Sequence, residues 1–263
     1  MFVEQERSKL HYRKEGNGSM ALLLFHGFGQ DHHIFKSFVQ VMGDCYTVYS
    51  FDLYFHGKSE WGHGEKPLEK SDWKETIQIF LSDNAIETFS LGGFSMGGKF
   101  ALATLEAFPT QTKEIFLIAP DGIKTSFWYS LATYPLALRK LFKSIVDHPA
   151  LFNSIVHTLQ QLNLIKKGLG KFAAHQMNTE EKRRKVYFSW VVFRHLKFNL
   201  DDISNLINTY QIDTTVLVGK YDEVIRPEQM HRFLKKLNKH RFEILETGHN
   251  GVLMKSVDFF LSH

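Results

Sequence analysis

Apolar residues in this chain fall into short continuous runs separated by polar, helix-spaced stretches. The runs cover Leu22–Phe25, Thr47–Phe51, Thr88–Gly92, Glu114–Ile118, Thr215–Gly219 and Arg241–Leu245. Runs of this length, several of them apolar at every position, predict strands buried on both faces of a parallel sheet. Between them the spacing predicts helices near His33–Met42, Asp72–Asp83, Gly97–Phe108, Pro227–Leu237 and Asn250–Leu261, with Pro227 well suited to a first helical turn. From about Lys124 to Asn208 the strand signals stop. Helical patterns over Tyr134–Val146, Ala150–Ile165 and Thr179–His195 replace them. The expected class is therefore α/β, with a β-rich opening and a mostly parallel central sheet covered by helices on both faces. Residues 1–123 and 209–263 form its body, and 124–208 are an all-helical insertion.

One turn stands out against this pattern. Gly93-Phe94-Ser95-Met96-Gly97-Gly98 joins a β-prone run to a helical one, with a serine at the apex. Small residues on either side let the chain turn sharply, which strains the serine backbone and exposes its hydroxyl. The helix that follows aims its N-terminal amides at any negative charge formed there. Three fixed positions drawn from Gly and Ser match by chance in about one chain of this length in ten, so context must carry the reading.

The context is three further segments in order. His26-Gly27-Phe28-Gly29 follows the first apolar strand, Tyr221-Asp222 follows Thr215–Gly219, and Gly248-His249 follows Phe242-Glu243-Ile244-Leu245. With the serine turn, these residues resemble the α/β-hydrolase superfamily, from about Lys9 to the final helix. The resemblance implies an α/β-hydrolase fold whose insertion serves as a cap, or lid. It implies Ser95 as nucleophile and the backbone amides of Phe28 and Met96 as oxyanion donors. Serine needs a base to take its proton, and imidazole has a suitable pKa. Among 14 histidines, His249 has the family's position for that base, whereas His26 belongs to the His-Gly turn and is expected to shape the loop. The acid that orients His249 is expected at Asp222, with Asp121 after the sixth strand as the rival. His32, His33 and His56 are read as surface or packing residues near the site.

The chain departs from the family pattern at one loop. Asp52-Leu53-Tyr54-Phe55-His56-Gly57-Lys58-Ser59 follows Asp-x-x-Gly-x-Gly-x-Ser except that Phe55 stands where the first glycine belongs. The departure bears on local backbone and leaves the three reacting side chains untouched.

Composition narrows the remaining options. A single cysteine, Cys45, rules out an intrachain disulfide or a thiolate zinc cluster. It is expected to be a buried structural thiol in a reducing cytoplasm. No signal-peptide pattern opens the sequence, and no apolar stretch approaches the ~20 residues that cross a bilayer. The insertion carries 13 Lys+Arg against 5 Asp+Glu, while the whole chain has a net charge of only +4. Solvated helix faces explain this most simply. An anionic substrate or an acidic membrane surface is the sharper alternative. Nothing resembles a nucleic-acid module.

The resulting expectation is a serine hydrolase that cleaves a small carboxylic ester through an acyl-enzyme, with no metal or organic cofactor. Phe127 and Trp128, following the strand that enters the insertion, are expected to line the substrate pocket and favour apolar acyl or aryl groups. Two alternatives keep the fold: a carbon–carbon bond hydrolase or lyase acting on an acidic small molecule, and a slow-turnover small-ligand sensor. Oligomeric state is open.

Overall fold

The computed structural model describes residues 1–124, 127–148, 154, 158, 161 and 177–261. The chain divides into two compact units: Met1–His63, Glu69–Lys124 and Leu196–His263 in the larger, and Gly64–Leu68 with Thr125–His195 in the smaller.

The larger unit is built on one eight-stranded sheet. Its strands are β1 (Phe2–Gln5), β2 (Ser8–Glu15), β3 (Met20–Phe25), β4 (Tyr46–Phe51), β5 (Phe89–Phe94), β6 (Thr112–Ile118), β7 (Asp213–Gly219) and β8 (Arg241–Leu245), in the order β1-β2-β4-β3-β5-β6-β7-β8. β1 and β2 pair antiparallel, as do β2 and β4, and every later pairing is parallel. The chain leaves β3 for β4 on one side and then crosses to β5 on the other. Their carboxyl ends thus open at a switch point, the usual place for a site in such sheets.

Continuous apolar runs became fully buried strands, as their composition requires. Leu22, Leu23 and Phe25 of β3 and Leu91 of β5 have no exposed surface. An aromatic cluster joins one sheet face to the helices Lys70–Asp83 and Gly97–Ala107. Phe25 lies 5.2 Å from Phe51 and 5.7 Å from Trp73, and Trp73 lies 4.9 Å from Phe100. Each such ring contributes roughly 1.5–3 kcal/mol by leaving water. The indole N–H of Trp73 donates to Thr104 Oγ1 at 3.0 Å, so burial leaves no orphaned donor there. Phe260, in the helix His249–Leu261, meets Phe116 of β6 at 4.9 Å and Phe38 of the helix Lys36–Met42 at 5.4 Å.

In the smaller unit, Glu180–Val192 is capped by the Thr179 side chain, which accepts from the Lys182 amide. Phe142 packs against Tyr187 and Trp190, and Leu68 N–H donates to Val192 O at 2.9 Å. That contact places Gly64–Leu68 in this unit, although it is remote in sequence. Part of the basic charge read as surface is internal. Arg183 is buried and donates to Val146 O at 2.7 Å.

Several boundaries differ from the sequence reading. The expected insertion end at 208 moves to His195, because the helix Leu200–Tyr210 buries Ile203 and Ile207 within the larger unit. The helix expected over Tyr134–Val146 is Leu136–Asp147, preceded by Phe127–Thr133. Pro135 forms the break as the extended N-cap. Pro227–Leu237 is a 3₁₀ turn, Pro227–Gln229, then a short helix, His231–Leu234. The expected helix Ala150–Ile165 lies outside the described residues apart from three isolated positions. Cys45 is exposed rather than buried. It occupies the turn that enters β4, where its amide is used by Met42 O and its side chain faces no core.

Candidate active site

The serine turn has the geometry that its glycines suggest. Ser95 adopts φ +50°, a left-handed conformation that costs a non-glycine residue roughly 1–2 kcal/mol. It is held by its own backbone: the Ser95 amide donates to Ile118 O at 2.9 Å, and its carbonyl accepts from the Gly98 and Asp121 amides. A Cβ on Gly93 would lie 2.6 Å from Gly97 O, and one on Gly97 would lie 1.9 Å from Phe25 O. Helix Gly97–Ala107 can therefore start directly against β3 only without those side chains.

Asp222 follows β7 and is buried. One carboxylate oxygen, Oδ1, accepts from the amides of Val224 and Ile225, both at 2.8 Å, and Oδ2 meets His249 Nδ1 at 2.6 Å. These contacts compensate the charge for its lost water and leave it aimed at the imidazole. The loop bearing the acid is tied to the loop bearing the base, since Tyr221 N–H donates to Thr247 O at 3.0 Å and Lys220 N–H to Leu245 O at 2.8 Å. His249 opens the last helix, stacks on Phe94 at 5.5 Å and brings Nε2 to 3.0 Å from Ser95 Oγ. Ser95, His249 and Asp222 thus form one continuous hydrogen-bonded line.

The rival acid is otherwise engaged. Asp121 pairs with the buried Lys99 at 3.1 Å, and its Oδ1 accepts from the Gly122 amide at 2.7 Å. The amides of Phe28 and Met96 have no hydrogen-bond acceptor among the described residues. The side chains of Phe127 and Trp128 lie outside the described residues.

The His-Gly loop is braced from below by residues that sequence reasoning undervalued. His26 is completely buried, donates from Nδ1 to Gly27 O at 2.7 Å and accepts from Leu53 N–H at Nε2. Burial lowers its pKa to about 4, so the ring is neutral. Gln30 Oε1 accepts from the Gly27 amide at 3.1 Å. His56 was read as packing, yet its Nε2 accepts from the Gly29 amide while Nδ1–H donates to Tyr54 O. Its loop keeps left-handed backbone at Phe55, φ +68°, and at Gly57, φ +53°. Phe55 therefore holds a left-handed backbone of the kind that favours glycine. The available signal was that both loops leave neighbouring strands, β3 and β4, at the same end.

A family model for the alpha/beta hydrolase fold matches residues 21–255. Lipase 1 of Psychrobacter immobilis is 24% identical over 263 residues, covering 95% of this chain and 77% of the lipase. Pimeloyl-[acyl-carrier protein] methyl ester esterase of Legionella pneumophila (strain Lens) is 23% identical and covers 96% of both chains. Among solved structures, a thermophilic esterase from Thermogutta terrifontis superposes with a TM-score of 0.70 at 17% identity, covering 97% of this chain and 91% of the esterase.

Proposed function

The chain belongs to the α/β-hydrolase family, and on that premise we propose that it is a serine hydrolase cleaving a small carboxylic ester through an acyl-enzyme. The observation that carries this reading is the line from Ser95 Oγ through His249 to Asp222, at 3.0 and 2.6 Å. His249 Nε2 takes the hydroxyl proton as Ser95 attacks the ester carbonyl, and Asp222 steadies the imidazolium that forms. The Phe28 and Met96 amides receive the developing oxyanion, where one donor is typically worth about 3–4 kcal/mol. The proton then passes to the departing alcohol. Water, activated by the same imidazole, releases the acid and restores Ser95.

Lipase and esterase relatives support an ester as the cleaved bond. The acyl preference is the finer part of the proposal and rests on the aromatic density of the smaller unit. Rates should rise from acetyl to butyryl or hexanoyl esters, since each buried methylene contributes ~0.8 kcal/mol. Trp128→Ala should flatten that gradient. The substrate is proposed to be a small molecule, with neither nucleic acid nor a stably inserted membrane as partner. No helix among the described residues is long and apolar enough to cross a membrane.

A fluorophosphonate probe followed by a panel of aryl esters and diketones tests the reading. Covalent labelling that disappears in Ser95→Ala, with ester turnover reduced on the order of 10⁶-fold, is the expected result. A Ser95→Ala protein that kept a tenth of its activity, or a diketone cleaved in preference to every ester, would overturn it.

A further inference from the structure

We infer that Lys99 and Asp121 act together as positioning residues for the oxyanion donor at Met96, a role that rests on the reading of Ser95 as nucleophile. Lys99 is the third residue of the helix Gly97–Ala107, which starts at the serine turn. Every residue of that helix from Gly97 to Leu105 is buried, and Lys99 is the single charge among them. An ammonium in such a place is costly unless it is paired, and an apolar side chain of similar length would fill the space at lower cost. The charge is matched by Asp121, whose Oδ2 lies 3.1 Å from Lys99 Nζ.

Asp121 connects this pair to the serine turn through its own backbone. Its amide donates to Ser95 O at 2.8 Å, and the Gly98 amide donates to the same oxygen at 2.9 Å. Ser95 O and the Met96 N–H are opposite edges of one peptide, which is planar. Fixing the oxygen with two donors therefore fixes the direction in which the Met96 hydrogen points. A carbonyl that accepts two hydrogen bonds is also more polarised, which strengthens the N–H of the same peptide as a donor. The contacts close a circuit. It runs from Ser95 O through the Asp121 amide and carboxylate to Lys99 Nζ, then along the first helical turn to the Gly98 amide.

The segment that carries Asp121 needs such a hold. Ala119 has φ +41° and Gly122 φ +107°, so left-handed backbone stands on both sides of Asp121. Alanine meets a steric penalty in that conformation that glycine escapes. Ala119 N–H donates to Leu217 O at 2.7 Å, and Asp121 Oδ1 accepts from the Gly122 amide at 2.7 Å. A Cβ on Gly98 would lie 2.7 Å from both Asp121 O and Pro120 Cβ. The turns at Ser95 and at Ala119–Gly122 are thus pressed together with no side chain between them at Gly98. The ion pair joins them a second time, through side chains.

Aryl-ester kinetics and fluorophosphonate labelling rates on the full chain test this role, with thermal melts to establish that each variant is folded. Lys99→Met should lower kcat and the labelling rate roughly tenfold at nearly constant KM, the split expected of an interaction made in the transition state. Deleting an oxyanion donor typically costs about 10²- to 10³-fold, and here the donor is turned, not removed. Lys99→Arg, which keeps the charge, should recover most of the rate. A side chain needed only to fill space would be served as well by methionine. Joining Lys99→Met to Asp121→Asn should lower kcat no further than the worse single variant, because both break one circuit. Should Lys99→Met fail to fold, the kcat-against-KM split of Asp121→Asn decides in its place. Unchanged kcat in the folded variant, a loss expressed in KM, additive effects in the double variant, or arginine no better than methionine would overturn the assignment. Wild-type protein that the fluorophosphonate does not label would instead overturn the reading of Ser95 on which it stands.

Discussion

The amide hydrogen of Gly29 is accepted by His56 Nε2 at 3.0 Å, one residue beyond the amide of Phe28. This bond joins the loop after β3 to the loop after β4 and fixes the peptide plane next to a proposed oxyanion donor. His56→Ala removes the acceptor and frees that loop. We expect kcat to fall about 10- to 100-fold with little change in KM, the pattern of an interaction realised in the transition state. His56→Gln, which keeps an acceptor on its side chain, should recover part of the loss. Steady-state kinetics on both variants decides the matter. Equal kcat in all three proteins would mean that Gln30 alone holds the loop.

Asp222→Asn should lower kcat by roughly 10⁴-fold, because an amide at this position favours the wrong tautomer of His249. Asp121→Asn should cost far less activity and act mainly on stability, since its carboxylate is the partner of the buried Lys99. Parallel kinetics and urea melts on the two variants check this. If Asp121→Asn proved the more damaging to kcat, the acid would have been assigned to the wrong strand.

His26 makes stability depend on pH with a defined sign. Its folded pKa is lowered to about 4 by burial, against 6.5 for an ordinary histidine. Above 6.5 neither state is protonated and the group is neutral in its effect. As pH falls from 6.5 towards 4, the unfolded chain gains a proton that the folded chain refuses. The loss accumulates to ~3 kcal/mol near the lower limit. His11, also lowered by burial, acts in the same direction. Asp52, held below its usual value chiefly by the amides of Lys58 and His32 against the opposing pull of burial, contributes stability that disappears only at more acid pH. Urea midpoints measured from pH 7.5 to 4 should decline across this window, and the decline should be shallower in His26→Gln. An equally steep profile in that variant would assign the loss to other groups.

Gln211 ends the helix Leu200–Tyr210 in a left-handed conformation, φ +51° and ψ +43°, with its side chain exposed. Gln211→Gly removes the steric penalty without removing any buried contact. Stability should rise by about 0.5–1 kcal/mol, after allowing for the greater freedom of glycine in the unfolded chain. A lower melting temperature would show that the Gln211 side chain makes a compensating contact.

The body of the fold was legible because its strands are apolar at consecutive positions and its helices carry ordinary start and stop residues. Ser95, Asp222 and His249 were legible as candidates because each stands within a few residues of a strand's carboxyl end, so their positions in the sequence are also positions in the fold. The bracing of the His-Gly loop was less visible. His56 is ten residues past the start of β4 and makes its contact with Gly29 through the pairing of β3 and β4, a relationship that linear spacing does not encode. The segment Gly64–Leu68 escaped for a related reason. Its partner strand of contacts, ending at Val192, lies more than a hundred residues away. Arg183 looked like one of a solvated basic run because composition cannot tell which member of the run turns inward to Val146.

Ser95 and His249 are 154 residues apart in sequence and 3.0 Å apart in space, and Thr125–His195, the longer segment of the smaller unit, lies in the chain between them. Joining distant segments costs entropy that grows only logarithmically with the length between them, by about 0.6 kcal/mol per doubling. The interposed unit therefore adds little to the equilibrium cost of assembling the reacting line. It acts on time instead. Contacts this remote form late, after local helices and neighbouring strands have settled. Regain of ester cleavage during refolding should lag behind regain of helical signal, with catalysis returning only when the final helix docks.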